Sequence, residues 1–160
     1  MNTIQIATVQ QPTTAALRPS ASRWLVPGLT AGAVFLGIEL LAGWLTTSLW
    51  SFPEAIAEMI GVPPSWSLPV GIIVHFTFSL GLGAVFVALA ERFQLRGLKL
   101  LAAGVLFIMA ESPISIWLVL NTLYPTTLPI LFAAVPFWAS LLGRIAFGLT
   151  LAGTYARITR

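Results

Sequence analysis

Four long apolar runs, separated by short polar stretches, organise this chain. They extend from about Trp24 to Trp50, Leu68 to Ala90, Gly97 to Leu120, and residue 134 to residue 156. Each is close to or above the roughly 20 residues a helix needs to cross a bilayer. The pattern predicts an all-α integral membrane protein, an antiparallel four-helix transmembrane bundle occupying residues 24–158. The stretch "PILFAAVP", residues 129–136, lies between two prolines. It reads as a second surface piece or as the tilted start of the fourth span.

The link between the first two runs has its own pattern. In "SFPEAIAEMIGVPP", Ser51 and Glu54 have capping-box spacing and Pro53 suits a first helical turn. Gly61, Pro63 and Pro64 supply a stop. Ala55, Ile56, Met59 and Ile60 fall on one face, with Glu54 and Glu58 on another. A short interfacial helix is predicted here, acting as a structural plug over the bundle.

Composition agrees with lipid as the solvent. Of the 160 residues, 58% are hydrophobic and 8% charged, and the mean hydropathy is +0.93. Soluble domains carry about 25% charged residues. The absence of cysteine excludes disulfides, thiolate metal sites and thiol catalysis. The first 23 residues are polar and lack a basic start and a compact apolar core, so they read as a disordered cytoplasmic tail rather than a secretory signal.

The net charge is +3, but the basic residues form no nucleic-acid patch. Seven of the eight follow the spans instead. Arg18 and Arg23 precede the first, Arg92, Arg96 and Lys99 fill the turn between the second and third, and Arg157 and Arg160 follow the fourth. The positive-inside rule places both termini and the middle turn in the cytoplasm. Trp24, Trp50, Trp66, Tyr124 and Tyr155 sit near span ends, where amphipathic rings favour the interface.

Each span also carries one ionisable residue: Glu39, His75, Glu111 and Arg144. Counted from the cytoplasmic boundaries at about 1.5 Å per residue, their depths are roughly 22, 24, 21 and 20 Å. They share a layer in the outer half of a hydrocarbon core about 30 Å thick. Charge at that depth requires pairing or hydration. Arg144 is expected to be held by Glu39, Glu111 or both, since its planar fork bonds two carboxylates. One proton, on His75 or a glutamate, would then neutralise the cluster.

Small residues accompany these positions. Gly71, Ser79 and Gly83 lie at −4, +4 and +8 from His75, and Ser140, Gly148 and Ala152 lie at the same offsets from Arg144. Such stripes let helices approach closely. Gly32 and Gly104 each precede an acid by seven residues. Each hairpin thus has an acid on its first helix and a base on its second, which points to a duplication about an axis along the membrane normal. Pro113 removes a backbone donor and predicts a kink in the third span.

Other chemistries find less footing. His75, Glu39 and Glu111 are suitable ligand types for iron, manganese or zinc, but Arg144 competes for the acids. Bis-histidine haem would need a second chain. "GLGAVF", residues 81–86, lies mid-span and reads as packing rather than a nucleotide loop. Trp44 and Trp117 read as walls of a quinone- or lipid-sized pocket, or as lipid-facing or core rings. No nucleophile motif or phosphate loop is present, and no cofactor is implied.

At "GIIVHFTFSLGLGAVFVALAERF", residues 71–93, the chain resembles the YagU-like inner-membrane proteins of bacteria. The resemblance extends through Gly104, Ser112-Pro113 and residues 143–148. It implies a small multi-span protein of the bacterial inner membrane with a role in acid tolerance. His75 is the position it carries over. Glu111 and Arg144 stand where the family implies His-type residues.

Two functions fit these features. One is a membrane protein whose Glu/His/Arg cluster binds a proton or small polar ligand in pH or envelope homeostasis. The other is an accessory or assembly subunit, as a homo-oligomer or with partners in a larger membrane complex, whose polar cluster is structural. The lack of native cysteine makes the topology directly testable. In intact cells a membrane-impermeant maleimide should label a Glu58→Cys variant and leave Gln94→Cys unlabelled until the membrane is opened.

Overall fold

The computed structural model describes residues 21–46, 48–115, 117 and 135–160. Residues 1–20 of the polar tail, the end of the third span toward Leu120, Tyr124 and residues 129–134 lie outside them. The described residues form five helices and no strand: α1 (Ser22–Thr46), α2 (Ser51–Met59), α3 (Pro64–Arg92), α4 (Gly97–Ser115) and α5 (Phe137–Ile158). All but α2 are long and apolar enough to cross a membrane.

Local chemistry sets several boundaries. Helix α3 starts at Pro64, earlier than the hydropathy alone indicates. Pro63 holds an extended backbone, and a proline opening a helix lacks only an N–H that had no helical partner anyway. Helices α2 and α3 end alike. Gly61 takes a positive φ of 76°, and the Val62 N–H donates to the Ala57 carbonyl at 3.1 Å. Gln94 takes a φ of 50°, and the Leu95 N–H donates to the Ala90 carbonyl at 2.9 Å. Both are Schellman closures, with Gln94 in the place glycine usually fills.

Helix α1 is central, packing on α3 and α5, while α4 leans on α5 and touches α3 only lightly. Backbones meet at small residues. A side chain on Gly28 would strike the Ser79 carbonyl at 2.9 Å, and one on Gly83 would meet the Gly28 Cα at 2.8 Å. Gly104 and Gly148 each lie against the other's carbonyl with no room for a Cβ. Along α1 and α5, Thr30 bonds Thr154 at 3.2 Å and Phe35 meets Phe147 at 6.3 Å between ring centroids. A core of Phe86, Leu100, Ile108, Phe147 and Leu151 joins the long helices. Their outward faces remain apolar, with Ile73, Leu98, Leu106 and Phe137 all exposed. So much contiguous apolar surface is unsuited to water and suited to lipid.

Helix α2 differs from the sequence expectation in two respects. Its first residue is Ser51 itself, and Trp50 at the cap position makes no side-chain cap bond. The chain turns directly out of α1, and the Ser51 N–H is already bound to the Ser48 carbonyl at 3.2 Å. The buried face consists of Phe52, Pro53, Ala55 and Ala57, while Ile60 is exposed. Gly71 of α3 causes this rotation, since its missing side chain admits the Pro53 carbonyl against the α3 backbone. The Phe52 ring can then enter beside Phe35 and His75.

Candidate functional site

The predicted stripe on α3 is its buried stripe: Gly71, His75, Ser79 and Gly83 are all buried. On α5, Gly148 and Ala152 are buried while Ser140 and Arg144 are half-buried. Small residues at helical spacing carry both ionisable positions toward neighbouring helices.

The four ionisable residues resolve into two settings. His75 sits in an aromatic cage. Phe35 stacks on its imidazole at 5.7 Å, and Phe52 and Phe76 meet it edge-on at 5.7 and 5.3 Å. Its Nε2 lies 2.9 Å from the Gly32 carbonyl oxygen. A carbonyl only accepts, so Nε2 carries the proton that makes this bond. The same glycine accommodates the Ser79 side chain, whose hydroxyl donates to the His75 carbonyl at 2.9 Å.

Glu39, Glu111 and Arg144 form the second setting, on α1, α4 and α5. Arg144 acts electrostatically on both acids. Among the described residues, however, it makes no ion pair with either, contrary to the expected carboxylate clamp. Its Nη1 donates to Ser140 Oγ at 2.8 Å instead. Glu111 accepts from the Ser115 hydroxyl. Both partners are serines one turn away on the same helix. Residues four apart on a helix face each other, so these bonds need no approach between helices.

Glu39 has no such serine. Its side chain is 0% exposed, and among the described residues neither carboxylate oxygen has a hydrogen-bond partner. It points toward α5 at Gly143, where a Cβ would lie 3.3 Å from Oε1 and 3.2 Å from the Phe35 ring. Phe35 thus stands between His75 on one side and the Glu39–Gly143 contact on the other. Among the described residues no three His, Asp or Glu side chains converge to hold a metal, so His75, Glu39 and Glu111 do not form a ligand set. Trp44 and Trp117 are 67% and 65% exposed, and wall no internal pocket.

Sequence reasoning missed Phe35 and Phe52 as the wall around His75. Phe35 could have been found one turn before Glu39, but Phe52 reaches the site only through the rotation of α2. Ser140 was visible at the right spacing, but as a small residue rather than as the acceptor for Arg144.

The two hairpins make their close contacts at equivalent places. Gly32, seven before Glu39, meets Ser79, four after His75. Gly104, seven before Glu111, meets Gly148, four after Arg144. Compared with family models, curated proteins and solved structures, the chain matches none.

The His75 cage separates ring packing from hydrogen bonding. A His75→Phe variant keeps the ring contacts but loses the bond to Gly32, and should cost about 1 kcal/mol. His75→Ala also opens a cavity and should cost about 3 kcal/mol or more. Denaturation of the purified protein in detergent should show that ordering.

Proposed function

We propose that this chain is an antiparallel four-helix bundle of the bacterial inner membrane that binds a proton or a small polar ligand at Glu39, in pH or envelope homeostasis. The order of contacts supports the antiparallel arrangement. Residues early in α1 meet residues late in α3 and α5, as in the pairs Gly28–Gly83 and Thr30–Thr154. The distribution of Arg and Lys supports cytoplasmic termini. Helix α2 then closes the outer end as an interfacial plug.

The unpartnered carboxyl of Glu39 carries the functional reading. A purely structural polar network would close its buried groups on donors, since an unanswered buried carboxylate is strongly unfavourable. Glu111 has such a donor in Ser115, and Glu39 does not. A proton on Glu39, or a small ligand offering N–H or O–H groups, completes the site. Arg144 on the neighbouring helix α5 is the nearby positive charge that a deprotonated Glu39 would face. The resemblance of residues 71–93 to YagU-like proteins is part of this proposal and implies a role in acid tolerance.

The test is acid survival of cells lacking the native copy, complemented at equal membrane levels. Wild-type protein should restore survival, and Glu39→Gln, close in shape but unable to titrate, should not. Full complementation by Glu39→Gln, together with copurification of stoichiometric partner subunits, would favour the accessory-subunit reading instead.

A further inference from the structure

At the end of the bundle where α3 passes into α4, a groove of about 970 Å³ opens beside the last turn of α5. It forms where α4 leans away from α3 onto α5. The described residues that line it include Arg96, Arg157 and Arg160 and a single acidic side chain, Glu91. Tyr155 lines the groove beside it. Leu100, Leu101 and Ala156 line the wall below, with Leu100 buried. Arg96 comes from the turn that follows the left-handed Gln94, and Arg157 from the final turn of α5. Three guanidinium groups over an apolar wall do not suit a neutral or cationic ligand. They suit a phosphate joined to a hydrocarbon chain.

We infer that this groove binds the headgroup of an acidic phospholipid, with the phosphate held among Arg96, Arg157 and Arg160 and an acyl chain lying along Leu100 and Leu101. Basic pockets between transmembrane helices on the cytoplasmic side are suited to such headgroups. Arg92 and Lys99 occupy the same turn but do not line the groove. They provide a control that removes the same charge. The inference rests on the membrane reading above, though not on the role of Glu39.

The experiment uses the full chain in nanodiscs containing phosphatidylcholine and a minority of cardiolipin, with retained lipid read by native mass spectrometry after release. Arg96→Gln/Arg157→Gln should weaken cardiolipin retention by roughly 100-fold, because each change removes a charge-assisted hydrogen bond to the phosphate. Arg92→Gln/Lys99→Gln should change it less than about 3-fold, because surface charge alone is screened. Equal losses in the two double variants would overturn the inference, leaving only general surface charge. Displacement of cardiolipin by an equal concentration of inorganic phosphate would also overturn it, in favour of a soluble phosphate ligand. Co-flotation of every variant with vesicles monitors membrane insertion separately. Its loss in the wild-type chain would count against the membrane reading, whereas failure of the groove would leave it intact.

Discussion

A polar side chain inside an apolar bundle must find its partner among the helices themselves, because lipid offers none. This constraint is met here in two ways, and Glu39 stands apart from both. His75 reaches a backbone carbonyl on α1, which is accessible because Gly32 and Ser79 let the two helices close together. Arg144 and Glu111 each turn to a serine one helical turn away. Glu39 is fully buried and finds no partner among the described residues. Serine at the i±4 position answers Arg144 and Glu111, whereas Glu39 has phenylalanine and glycine at those positions.

The two halves of the chain make this contrast sharper. Gly32–Ser79 and Gly104–Gly148 are close approaches at matching offsets from an acid and a base. The scaffold around each acid is therefore similar, and the difference lies in side chains. Glu111 is half-buried and bonded, while Glu39 is fully buried and faces a glycine. If the halves descend from one unit, the first has kept a titratable base and an unanswered acid. The second has acquired a permanent cation and a satisfied acid.

Much of this arrangement was legible in the residues. Hydropathy located the long helices because lipid crossing demands length and apolarity together, and small-residue spacing located the buried face of α3. The choice of partner was not legible. Depth along the spans placed four ionisable groups in one layer, but depth does not say which way a side chain turns. The serines at positions 115 and 140 won because local bonds need no tertiary approach. The buried face of α2 was misread for a related reason. Its orientation is decided by an absent side chain at Gly71 on another helix, which a pattern within residues 51–60 does not contain. Gln94 was equally silent, because a glutamine in a left-handed turn carries no compositional signal.

The central claim is that Glu39 is a shielded carboxyl awaiting a proton or a donor. Infrared difference spectroscopy of the chain in lipid membranes, taken between acidic and alkaline buffer, addresses it most directly. The account predicts a carbonyl band from a protonated acid in a water-poor setting, absent from Glu39→Gln and retained in Glu111→Gln. A band that survives unchanged in Glu39→Gln, or is absent from the wild-type protein at every pH, would contradict it.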